Sequence, residues 1–111
     1  NKMNNILEIK GLLISIESDV WELGIKTIQK VQDATINDET KMEILKQSLE
    51  TLKDMEKRLK SGIANEKIKE LTEYEDVIKA LQEVGISFIE NLKLLKEIQA
   101  LEALKEIIKA N

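Results

Sequence analysis

Apolar residues recur at every third or fourth position along almost the whole chain, the spacing that keeps side chains on one face of an α-helix. Ile6, Ile9, Leu13, Ile16, Val20 and Leu23 form the first such seam. Leu7, Leu12, Ile14, Trp21 and Ile25 fall outside it, so the first helix carries a wider apolar arc than a single core contact needs. The pattern predicts a helix from Lys2 or Met3 to about Val31. Gly11 and Gly24 each weaken it by about 1 kcal/mol relative to alanine, and Gly24 is the place where it would kink or break.

A turn is predicted over residues 34–38. Thr35 and Asp38 have the three-residue offset of a capping box, and Asn37 is the alternative cap for the helix that follows. That second helix has a narrow stripe of Met42, Leu45, Leu49, Leu52, Met55 and Leu59. Oppositely charged residues three or four apart cover its outer face, including Glu43/Lys46, Glu50/Lys53 and Asp54/Arg58. It should stop near Gly62. A third helix, capped near Asn65, takes Ile68, Leu71, Tyr74, Val77, Ile78, Leu81 and Val84 as its apolar side, and Gly85 interrupts it. A last helix then carries Ile86, Ile89, Leu92, Leu95, Ile98, Leu101, Leu104, Ile107 and Ile108. The predicted fold is therefore all-α: one domain over residues 1–111, an up-and-down bundle of about four helices, with the first or last helix open to a break at its glycine.

One internal echo accompanies the glycines. Leu23-Gly24-Ile25 with Ile28 and Val31 repeats in Val84-Gly85-Ile86 with Ile89 and Leu92. A duplicated helical unit and chance within a small alphabet account for it equally well.

Composition removes most chemistry. The chain has no histidine, cysteine or proline. Imidazole bases, thiolate nucleophiles, Ser-His-Asp triads and the usual zinc and di-iron ligand sets are therefore excluded. With no cysteine there is no disulfide framework, so nothing argues for an oxidising compartment. The four glycines stand apart from one another and build no phosphate loop. Glu73 with Asp76, or Glu39 with Glu43, are carboxylate pairs that would hold a hard cation only weakly, and their ordinary reading is solvated helix surface. Enzymatic activity, a cofactor and a resident metal are not expected.

Charge narrows the partners. The net charge is −4, from 17 basic and 21 acidic residues, and the signs are interspersed except in the acidic stretch from Glu66 to Glu83. No lysine-rich face exists, which argues against nucleic acid and makes a lipid surface a minor option. No apolar run approaches the roughly 20 residues needed to span a bilayer, and no leader pattern is present, so a cytoplasmic location is the default expectation. Tyr74 reads as core with its hydroxyl at the edge. Trp21 reads either as a bundle residue, the commoner case, or as an anchor for a partner.

The C-terminal third also carries a resemblance. Val84-Gly85-Ile86, then Leu92-Lys93-Leu94-Leu95-Lys96-Glu97, then Leu104-Lys105-Glu106-Ile107-Ile108 resembles an uncharacterised helical family, domain of unknown function 1641, with Ile98 where that family usually has proline. Asn37-Asp38-Glu39 leading into Leu45, Leu49 and Leu52 is similar to its acidic turn and following helix. Members are often encoded beside formate dehydrogenase, so the resemblance implies an accessory role around that redox enzyme. It brings no catalytic residues.

The residues thus point to a non-catalytic helical interaction protein that associates with itself or with a protein partner. The candidate interface is Leu12, Ile14, Trp21, Ile25, Leu94 and Ile108. The alternative is a small helical regulator or carrier of an apolar ligand, with a cavity between helices.

Overall fold

The computed structural model describes residues 2–62 and 66–110. They form four helices and no strand: α1 (Lys2–Val31), α2 (Asp38–Gly62), α3 (Glu66–Lys69) and α4 (Thr72–Ala110). The all-α expectation and the helix count hold, but the chain is divided differently from the prediction. Three helices are long and α3 is a single turn.

Neither glycine breaks its helix. Gly24 lies inside α1, and Gly85 lies inside a 39-residue α4 that joins the predicted third and last helices. The local penalty of about 1 kcal/mol at Gly85 is small against the packing on either side of it. Val84 and Phe88, one before it and three after, are both buried. The interruption falls earlier, at Glu70 and Leu71, where the Leu71 amide donates to the Ile68 carbonyl and the Leu71 carbonyl accepts from the Tyr74 and Glu75 amides of α4. Leu71 turns inward there and packs against the core.

The entry to α2 also settles a choice. The Asn37 Oδ1 accepts from the Thr40 amide at 2.8 Å, the N-cap bond of α2. Thr35 builds no capping box with Asp38. Its amide and hydroxyl both donate to the Asp33 carboxylate, at 2.9 and 2.6 Å, and these two bonds hold the Asp33 carboxyl below its usual range. The Asn65 cap lies outside the described residues.

Helix directions follow from a few contacts. Thr27 of α1 meets Ser48 of α2, and the preceding connection is short, so these two helices are antiparallel. On α1 and α4, Lys10 pairs with Glu73 and Gly24 abuts Val84, so the numbers rise together and the helices are parallel. Leu52 of α2 lies opposite Gly85, and Glu56 and Lys60 flank Ile78, Leu81 and Gln82, so α2 and α4 are antiparallel.

The core is where the three stripes meet. Leu13, Val20, Leu45, Leu59, Val77 and Phe88 are its most enclosed large side chains. Tyr74 is buried as expected. The α1–α4 approach is tight at Gly24: a Cβ built there would stand 3.0 and 3.2 Å from the two Val84 methyls. Gly24 is therefore a contact residue, not a hinge. The two halves of the internal echo touch at this point.

Counting back along α2 from Leu52 opposite Gly85 brings Asp38, its first residue, level with Gln99. Beyond that level α4 continues alone to Ala110, about 16 Å further at 1.5 Å per residue. The molecule is accordingly long and thin, 75 × 24 × 17 Å.

Candidate interaction surface on α1 and α4

All six candidate interface residues, Leu12, Ile14, Trp21, Ile25, Leu94 and Ile108, are exposed. They belong to a set of thirteen large apolar side chains, among the described residues, that remain between 39% and 65% accessible, Trp21 the least and Ile108 the most. Six of these lie on α1 and seven on α4. None of the described large apolar residues of α2 is among them. The narrow α2 stripe is used up by the core, and its outer surface carries Glu43–Lys46, Glu50–Lys53 and Glu56–Lys60 ion pairs.

The geometry of α1 explains its surplus. At about 100° per residue, Leu12 and Ile14 sit on either side of buried Leu13. Leu7, Ile14, Trp21 and Ile28 follow one another at seven-residue steps, a row beside the core seam. Leu12 lies on the other flank and does not join that row. The burial expected of Trp21 is incomplete, because the row faces outward at this level.

Trp21, Ile25 and Ile28 form one wall of a groove of about 360 Å³, and Glu83, Val84 and Ser87 of α4 form the other, with Gly24 between them. The absent Gly24 side chain brings the two helices close and makes the groove shallow and open to solvent, not an enclosed chamber. From Ser87 the same seven-residue step along α4 leads to Leu94, Leu101 and Ile108. The groove is thus where two apolar rows overlap. One runs from it toward the start of α1 and the other toward the end of α4, and Leu94 and Ile108 belong to the second.

Charges around the groove are few: Glu83 is the charged residue of its lining. Glu22 and Lys26 form an i,i+4 ion pair at 2.8 Å on the outer side of α1. Each holds the other in its charged form, which lowers the Glu22 pKa and raises that of Lys26. Glu73, read from the sequence as part of a carboxylate pair, instead reaches Lys10 across the α1–α4 contact at 3.8 Å. Among the described residues no three metal-ligating side chains converge, and no helix is long and apolar enough to cross a membrane.

Sequence reasoning missed two features. One is the buried hydroxyl pair Thr27–Ser48, at 2.8 Å, which fixes the register of α1 on α2. Its signal is a polar residue one turn after Leu23 and Gly24 on the inward side of α1. The other is the exposure of Leu101, Leu104 and Ile107, which share a helical spacing with the core residues but stand past the end of α2.

No family model, curated protein or solved structure matches this chain.

Proposed function

We propose that this protein is a non-catalytic helical interaction module that works by self-association through the apolar faces of α1 and α4. The supporting observation is the sorting of the exposed large apolar side chains among the described residues: thirteen on α1 and α4, none on α2. Scattered exposed leucines are ordinary on any surface. A set confined to two adjacent helices, in rows at coiled-coil spacing, is what a helical partner surface requires. Sedimentation velocity over a micromolar concentration series tests this. The expected result is a species heavier than the 12.7 kDa chain; a strictly monomeric protein throughout the series overturns the reading.

A second reading is supported by the groove between α1 and α4, whose lining is largely apolar. In that reading the protein carries or senses an apolar small molecule, and native mass spectrometry of the freshly purified protein would reveal a retained ligand. The resemblance in the C-terminal third adds a cellular setting, a cytoplasmic accessory role near a formate dehydrogenase. Affinity purification from the source cell, with that enzyme's subunits sought by name, checks it.

A further inference from the structure

The outward row of α1 has a symmetry that names its occupant. With the intervening positions included, the seam reads Leu7, Gly11, Ile14, Ser18, Trp21, Ile25, in alternating steps of four and three, and every member is exposed. Gly11 is unexplained by the isolated chain. It costs the helix about 1 kcal/mol against alanine, yet a Cβ built there meets nothing within 4 Å. Gly11 faces open space, and nothing in its own chain contacts that position.

We infer that the seam pairs with the same seam of a second copy, antiparallel, about a two-fold axis passing near Ile16. This rests on the self-association proposed above and specifies its geometry. In that register position i lies level with 32 − i. Trp21 of the second copy then stands over Gly11, Ile14 over the second copy's Ser18, and Leu7 against the second copy's Ile25. Each small residue receives a large one, the knobs-into-holes condition for close helix packing.

Charge is complementary in the same register. In an antiparallel pair, like flanks meet across the interface. On the neighbouring α4, the level of Ile16 falls between Asp76 and Lys79, as the Gly24–Val84 and Lys10–Glu73 contacts fix it. The axis that pairs the seams therefore brings Asp76 opposite the second copy's Lys79, and the reverse. The seam is about 27 Å long, and with α4 beside it the face is about 20 Å wide, a footprint of about 500 Å² per copy. That lies at the low end for stable association, so the dimer should dissociate on dilution.

Two measurements on the full chain test the register. The first compares wild type with Gly11→Leu by sedimentation and by thermal melting. Filling the hole raises the dimer dissociation constant at least tenfold, while the melting point of the dilute, monomeric protein does not fall, because the new side chain points into open space. The second exploits the absence of native cysteine. Ile14→Cys and Ser18→Cys chains, mixed and oxidised, should give the mixed 14–18 disulfide faster than either variant links to itself. A dimeric wild type whose association is unchanged by Gly11→Leu, or whose cysteine variants link preferentially to themselves, overturns this pairing and leaves self-association standing. A wild type that is monomeric at every concentration overturns both.

Discussion

Between Tyr74 and Leu95, α4 buries seven side chains; between Ala100 and Ala110 the same helix carries Leu101, Leu104, Ile107 and Ile108 and buries none. Both stretches have apolar residues at helical spacing, and both are helical. They differ in what stands beside them, because α2 reaches only to the level of Gln99 and α1 ends at Val31. Periodicity therefore specifies helix and face, while burial depends on the length of the neighbours. The first stretch supports the fold, and the second is left exposed.

The largest expected contrast comes from one truncation in each stretch. Phe88 is fully enclosed, and Phe88→Ala should cost about 3–5 kcal/mol, enough to unfold much of a small domain. Leu101→Ala removes as greasy a side chain from the exposed stretch and should change the stability of the dilute monomer by no more than about 0.5 kcal/mol. Urea denaturation at low protein concentration reads both. Comparable losses at the two sites would abolish the distinction.

The polar contact inside the packed region gives the next effect. Thr27→Val keeps the shape of the side chain but leaves the buried Ser48 hydroxyl without its partner, at a cost of about 1–3 kcal/mol. Adding Ser48→Ala removes the orphan as well, and the double variant should recover a large part of that loss. If Thr27→Val is neutral alone, the hydroxyl pair does not hold α1 on α2.

Much of this division is visible in the residues, and the invisible part has identifiable physical causes. Ile9, Leu13, Ile16, Val20 and Leu23 turn inward as their spacing requires, and the residues left off that seam are exposed; Ile6, the first member of the seam, is exposed as well, because it stands beyond the end of α2 and the start of α4. Surplus width of an apolar arc is a local property, so Leu12, Ile14, Trp21 and Ile25 could be chosen without knowing the fold. The helix boundaries near Gly85 could not. Glycine's penalty is local too, but whether it breaks a helix depends on the packing of Val84 and Phe88 on either side. Gly24 is harder still. The same residue serves as a hinge, a weak point or a close contact, and only the identity of the opposing side chain, Val84, decides which.

That ambiguity sets up a smaller prediction. Gly24→Ala gains about 1 kcal/mol of helix propensity but puts a methyl 3.0 Å from Val84 Cγ2. Overpacking of this kind costs about 1–3 kcal/mol, so a net loss of about 1 kcal/mol is expected. In a Val84→Ala background the obstruction is gone, and Gly24→Ala should become stabilising. A double-mutant cycle measures this reversal. The same sign in both backgrounds would mean that α1 and α4 adjust to one another freely, and that the groove beside Gly24 has no fixed depth.

The smallest effect is expected from removing the end of α4. Ending the chain after Gln99 removes the whole stretch that runs past α2, including Leu101, Leu104, Ile107 and Ile108. In the dilute monomer the unfolding free energy should stay within about 0.5 kcal/mol of the full chain, since no buried side chain is lost. Ending it after Leu94 instead also removes Leu95, which is buried, and should cost about 2 kcal/mol more. Because a dimer gains stability from its own concentration, both chains must be compared at dilutions where each is monomeric. If the shorter deletion alone destabilises the monomer by about 2 kcal/mol, the end of α4 folds back onto the body in solution. Its apolar row would then be core that happens to lie on the outside of the bundle, and only α1 would remain as the surface offered to a second copy.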